Sequence, residues 1–131
     1  MDSLILGKLK ISKYKKVLVL NAPQEFTHVL KNFDGIVDTQ LGGCYGYAQM
    51  FITSQAEMAQ WGQALANAIE GDGYLWICYP KGTSKKYKKS DCSRDTLRES
   101  IKQYGFEGVS LISLDEDWSA MRFRGMEYIG K

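Results

Sequence analysis

Val17-Leu18-Val19-Leu20-Asn21-Ala22-Pro23 opens the most regular pattern in this chain. Four apolar residues in a row, led in by Lys15 and Lys16, fit a strand buried on both faces, as in a parallel sheet. Asn21 suits a helix N-cap and Pro23 a first helical turn. Phe26, Val29, Leu30 and Phe33 then recur at the i, i+3, i+4, i+7 spacing of one helix face. Asp34-Gly35 closes the segment. Strand, capped turn and helix in that order predict an α/β unit.

The pattern repeats downstream. Ile36-Val37 start a second strand, and Tyr47 to Thr53 reads as a third. Ser54-Gln55-Ala56-Glu57 has the form of a capping box. The helix it opens carries Met58, Trp61, Gly62, Leu65, Ala68 and Ile69 on one stripe, with Gly71-Asp72-Gly73 as its stop. Tyr74 to Tyr79 is a fourth strand ended by Pro80. Arg94 to Tyr104 is a third helix with Leu97, Ile101 and Tyr104 inward and Gly105 as its cap. Val109 to Leu114 and Ala120 to Met126 form a closing antiparallel pair. In the last strand Met121 and Phe123 point one way, Arg122 and Arg124 the other. Strands alternating with helices predict a mainly parallel sheet of about six strands between helical layers, a three-layer Rossmann-like α/β fold ending in a β-hairpin. No repeat or linker divides the chain, so residues 1–131 are expected to be one domain.

Composition agrees. The chain has 131 residues, 44% of them hydrophobic and 24% charged, which suits one globular domain with a real core. No apolar run approaches the roughly 18 residues that span a membrane, and the N-terminal stretch lacks a signal-peptide pattern. The three cysteines, Cys44, Cys78 and Cys92, are scattered, and His28 is the only histidine. Neither a disulfide framework nor a Cys/His metal site is supported, and a reducing cytoplasm is the expected setting.

The net charge of +2 hides an uneven distribution. Six basic residues and one acid fall within 81–94, so that segment is +5 and the remainder −3. In open α/β sheets ligands sit beyond the carboxyl ends of the strands. Topology sends three segments there: Asn21 to Pro23, the basic loop after Pro80, and the turn 115–118 with Arg122 following. The expected ligand-binding residues are Asn21, Pro23, Lys81, Ser84, Lys85, Asp117, Trp118 and Arg122. Lysines and hydroxyls suit an anionic small ligand such as a nucleotide or phosphorylated metabolite, which makes a non-catalytic binding module the leading expectation, and loop 81–89 also offers a surface to nucleic acid or protein.

Each feature has a plainer role as well. Asn21 to Pro23 makes a good strand-to-helix turn, the lysines a solvated loop, Asp115 to Asp117 a charged hairpin turn, and Trp118 a core plug. Cys92 sits among cations that would lower its thiol pKa, but no base stands near it in sequence. No catalytic set is complete, and neither a Walker loop nor a Gly-x-Gly-x-x-Gly fingerprint is present, so no cofactor is expected from motifs alone.

Two resemblances follow. Gly71-Asp72-Gly73-Tyr74-Leu75-Trp76-Ile77 and the terminal hairpin look like the late sheet of class I S-adenosylmethionine-dependent methyltransferases. That family reads its cofactor with a glycine-rich turn after strand one and an acid at the end of strand two. Here the turn is Asn21-Ala22-Pro23-Gln24-Glu25 and the nearest acid Asp38, so the resemblance covers the sheet and leaves a reduced methyltransferase-like enzyme as the alternative reading. The chain also resembles a bacterial domain-of-unknown-function family of short Rossmann-like proteins. The similar stretches are Leu20-Asn21-Ala22-Pro23, Trp76 to Lys81, Ser84-Lys85-Lys86-Tyr87, Arg94-Asp95 and Asp117-Trp118-Ser119-Ala120-Met121-Arg122-Phe123. This resemblance implies the same fold and a cytoplasmic setting, without an activity.

Overall fold

A computed structural model describes residues 2–87 and 90–129. Its helices are α1 (Asp2–Leu9), α2 (Gln24–Leu30), α3 (Gln55–Ala68) and α4 (Arg94–Lys102). Its strands are β1 (Lys16–Leu20), β2 (Ile36–Asp38), β3 (Tyr45–Phe51), β4 (Ile69–Pro80), β5 (Phe106–Ser113) and β6 (Trp118–Gly125). The strands form one six-stranded sheet in the order β2-β1-β3-β4-β6-β5. β2, β1, β3 and β4 run parallel, while β6 is antiparallel to both β4 and β5.

Both faces of the sheet are covered, which explains the unbroken apolar runs. On one face Leu18, Leu20, Met50, Leu75, Ile77, Met121 and Phe123 pack with Met58 and Leu65 of α3 and Leu97 and Ile101 of α4. On the other, Val17, Val19, Tyr47, Phe51, Trp76, Cys78 and Trp118 pack with Leu6 and Leu9 of α1 and Phe26 and Val29 of α2. Each large apolar side chain buried this way contributes roughly 1.5–3 kcal/mol. Gly62 lets α3 approach closely, because a Cβ there would run into the Tyr104 ring.

Register sets the working edge. Leu20 lies opposite Met50, Phe51 opposite Cys78, and Pro80 opposite Trp118. The ends of β1, β3 and β4 and the start of β6 therefore share one carboxyl edge.

Three expectations need correction. Asn21 is not the cap of α2: it is left-handed at φ 59°, Pro23 is the N-cap, and no side chain caps that helix. Gly71 to Gly73 do not stop α3, which ends at Ala68. They lie inside β4, where the partner register jumps from Tyr45↔Ile69 to Tyr47↔Tyr74, and Gly71 takes the left-handed φ of 57° that this irregularity needs. The box at Ser54 is offset. Ser54 accepts from the Glu57 N–H, but Glu57 reaches back to the N–H of Thr53 at 2.8 Å. Finally, α1 and the 3-10 turn Ile11–Lys13 add a covering element that the pattern did not show. They bury Leu6, Leu9 and Ile11, and Trp76 Nε1 donates to the Leu9 carbonyl at 3.0 Å.

Candidate functional site

Glu25 stands in the first turn of α2, where a helix favours an acid. Its carboxylate collects donors from two distant segments. Trp118 Nε1, at the start of β6, donates to Oε2 at 3.0 Å, and the Tyr87 hydroxyl donates to the same oxygen at 3.2 Å. Lys86 Nζ lies 3.2 Å from Oε1. Burial pushes the Glu25 carboxyl up, but its own backbone N–H, Trp118, Lys86 and Tyr87 outweigh that and hold it below the usual carboxylate value. Trp118 itself is 3% exposed, wedged edge-on against Phe51 and tilted against Tyr87 with centroids 5.1 and 4.7 Å away.

This cluster borders a cleft of about 660 Å³, a size that suits a small organic ligand. Ile5, Phe26, Val29 and Leu114 give it apolar walls. Glu25, Asp115, Glu116 and Asp117 bring four carboxylates to its lining, against the single ammonium of Lys86.

The basic loop and the hairpin turn lock together. The Lys81 N–H donates to the Asp117 carbonyl at 2.8 Å, and Lys81 Nζ to Ser113 Oγ at 2.6 Å. Ser84 is 5% exposed, donates to Asp117 Oδ1 at 2.8 Å and accepts from the Tyr87 N–H. Asp115 Oδ1 closes the turn by accepting from the backbone N–H groups of Asp117 and Trp118, both at 2.8 Å. Ser84 and Lys81 thus hold Asp117 and Trp118 in place.

The sequence-derived residues divide accordingly. Lys81, Ser84, Asp117 and Trp118 meet at the carboxyl edge, and Pro23 starts the helix that presents Glu25. Asn21 shapes the exposed turn before it. Lys85 is exposed and lines a neighbouring concavity with Thr83, Lys86, Glu116 and Asp117. Lys88 and Lys89 of the loop fall outside the described residues. Arg122 does not join the edge. It lies four residues into β6, opposite Trp76 and Ser110, with its guanidinium carbon 3.8 Å from the Tyr74 centroid. Strand geometry carries it about 13 Å from Trp118.

Cys92 is likewise reversed. Burial pushes its thiol up to about 11, and Asp91 and Glu57 add to the rise, so cations do not activate it. Glu25, by contrast, stands in the sequence only as part of the turn after β1. Its signal was an acid in the first turn of the helix after β1.

A second acid lies back from this edge, level with Leu18 of β1. Asp38 ends β2, accepts from the Tyr45 hydroxyl at 2.6 Å and pairs with Lys16 at 3.5 Å. The Tyr45 bond above all holds its carboxyl low, against a smaller burial effect, with Lys16 assisting. Among the described residues no group of His, Cys, Asp and Glu could hold a metal ion, and no helix is long and apolar enough to cross a membrane.

No protein-family model and no curated protein matches the chain. Solved structures do. N-methyltransferase NodS from Bradyrhizobium japonicum WM9 matches at a TM-score of 0.60 and 11% identity, over 95% of this chain and 93% of that one. Magnesium protoporphyrin IX methyltransferase ChlM from Synechocystis PCC 6803, with bound SAH, matches at 0.62 and 13% identity, over 95% and 81%. Mitomycin 7-O-methyltransferase MmcR matches at 0.69 and 7% identity, over 95% of this chain and 53% of that one. The chain has a methyltransferase-like Rossmann fold.

Proposed function

We propose that this chain is a reduced methyltransferase-like enzyme, acting as one domain over residues 1–131, with its small-molecule site in the cleft at the carboxyl edge. The observation that carries the reading is the cleft itself. It holds about 660 Å³ at the edge where open α/β sheets take their ligands. Likeness of fold alone is weak warrant for activity, so the residues at that edge matter more.

The group this fold implies is S-adenosylmethionine, and the chain keeps one of the two places that would fit it. After β1, Asn21 supplies a left-handed backbone where the resemblance expects glycine, and asparagine tolerates that conformation. Asp38, which ends β2, stands level with Leu18 and is tied to Lys16 and Tyr45 at the starts of β1 and β3, so it does not fit the place of the family's acid. Asn21 is the residue that would hold the group, which when bound supplies an electrophilic methyl. The remaining residues serve the cleft. Trp118 and Tyr87 fix Glu25, Ser84 fixes Asp117, and the walls at Val29 and Leu114 exclude water. An anionic ligand on Lys81, Ser84 and Lys85 has less support, since Lys81 and Ser84 are engaged by Ser113 and Asp117 and the cleft lining is mainly acidic.

The test is a thermal shift and calorimetric titration of the purified chain with S-adenosylmethionine and S-adenosylhomocysteine. At a hundred times Kd the ligand should stabilise the fold by about 2.7 kcal/mol, and Asn21→Val should abolish the effect. A flat response to both compounds at millimolar concentration removes the reading.

A further inference from the structure

We infer that the cleft takes a ligand bearing an organic ammonium group, which docks on Glu25 in the place now held by Lys86. The inference shares with the proposed function only the cleft as ligand site.

Glu25 is prepared for a cation. Trp118 and Tyr87 are uncharged donors, so they fix the carboxylate without neutralising it. Among the described residues Lys86 is its ion-pair partner. That partner is loosely held: the Lys86 side chain is 58% exposed and the Glu25 side chain 26%. Exposed ion pairs of this kind are weak, because solvent screens them and ordering a long lysine costs entropy. A ligand can therefore take the position at little cost.

Lys86 also displays the chemistry expected of the ligand. Its ammonium rests on a carboxylate while lying 5.5 Å from the centroid of the Tyr87 ring. Carboxylate beside aromatic face is a general recognition mode for ammonium groups. The rest of a ligand would then run along Phe26, Val29 and Leu114, which wall the same cleft. Asp115, Glu116 and Asp117 around the mouth raise the local concentration of cations.

The experiment titrates the full chain with benzylamine, an ammonium ion at neutral pH, and with benzyl alcohol, its neutral counterpart. The Trp118 indole N–H resonance is the reporter, assigned by its loss in Trp118→Phe. Benzylammonium should shift it and benzyl alcohol should bind at least about ten-fold more weakly, the loss expected for one charge-assisted hydrogen bond. Lys86→Ala should tighten benzylammonium binding about two- to five-fold by vacating Glu25. Glu25→Gln should weaken it at least about ten-fold. Equal binding of amine and alcohol, or no tightening in Lys86→Ala, overturns the inference, and the latter needs no change at Glu25. A parallel titration with S-adenosylhomocysteine, whose own α-ammonium can reach Glu25, separates the two readings when it is repeated in Glu25→Gln. If it binds the parent and Glu25→Gln equally while benzylammonium does not bind, the methyltransferase reading stands and this inference falls. If Lys86→Ala takes benzylammonium and S-adenosylhomocysteine gives no response, the reverse holds.

Discussion

Strands β4 and β6 carry an aromatic and charged cluster at each end, against the same face of the sheet. At the carboxyl end Trp118, Tyr87 and Phe51 surround Glu25, whose carboxylate is met by three donors and borders a cleft. At the amino end Tyr74, Tyr14 and Tyr47 form the aromatic group, and both the Arg122 guanidinium and the Lys13 ammonium lie on Tyr74. The Arg122 guanidinium carbon lies 3.8 Å from the Tyr74 centroid, and its Nε is buried without a partner among the described residues. Beside it Arg124 Nε donates to Asp72 at 2.8 Å. Similar side chains thus serve two ends differently. A charge whose hydrogen bonds are met and whose outer side opens on a cleft is equipped to bind. A charge pressed on a ring with a buried nitrogen unmet contributes mainly through its stem and its stacking.

The comparison breaks first at Trp118. Trp118→Ala removes a nearly buried ring and a donor to Glu25, and should cost about 3–5 kcal/mol in urea unfolding. Trp118→Phe keeps most of the packing and loses the charge-assisted bond, at about 1.5–3 kcal/mol. At the other end Arg122→Met should change stability by less than about 1 kcal/mol. It keeps the stem and removes a buried nitrogen that has no partner, which offsets the lost cation–π contact. A larger loss in Arg122→Met than in Trp118→Phe would invert the assignment of the two ends.

Much of this contrast was legible in the sequence, and the rest was not, for physical reasons. Buried strands announce themselves by continuous apolar runs, so β1, the core of β4 and the alternation of Met121 and Phe123 in β6 were readable. The carboxyl edge followed from topology, which placed Lys81, Ser84, Asp117 and Trp118 together. Glu25 was not singled out because its role depends on Trp118, ninety-three residues away. Arg122 follows the turn closely in sequence, but each strand residue advances about 3.3 Å, so four residues carry it away from the edge. α1 escaped because Gly7 and Lys8 interrupt its apolar residues, and its burial comes from docking on the sheet. Asn21 looked like a cap because cap propensity and left-handed propensity belong to the same residue type.

Acid titration sharpens the comparison further, with a smaller effect. Glu25 and Asp72 both have folded pKa values below their ordinary ones, Asp72 chiefly through the Arg124 hydrogen bond. A depressed carboxyl adds stability that is fully present above its unfolded pKa and is lost as pH falls through the folded value. The urea midpoint should therefore drop from about pH 5 towards about pH 3. Glu25→Gln and Asp72→Asn should each flatten part of that drop. If only Asp72→Asn does so, Glu25 is not held ionised by its donors, and the carboxyl end loses the feature that distinguishes it.

The smallest effect is expected at Asn21, where the turn after β1 meets the carboxyl edge. At φ 59° a residue with a Cβ carries strain of roughly 1–2 kcal/mol, less for asparagine than for most. Glycine relieves that strain but adds freedom to the unfolded chain, roughly 0.5–1 kcal/mol in the other direction. Asn21→Gly should thus lie within about 1 kcal/mol of the parent, whereas Asn21→Val, β-branched at a left-handed position, should cost more than 1 kcal/mol. The same pair tests whether the turn is a seat for ligand or only a bend. A seat made by backbone shape keeps S-adenosylhomocysteine affinity in Asn21→Gly and loses it in Asn21→Val even where the variant is fully folded. Equal affinity in both folded variants would confine ligand recognition to the Glu25 and Trp118 cluster, leaving the cleft as the one part of this edge that binds.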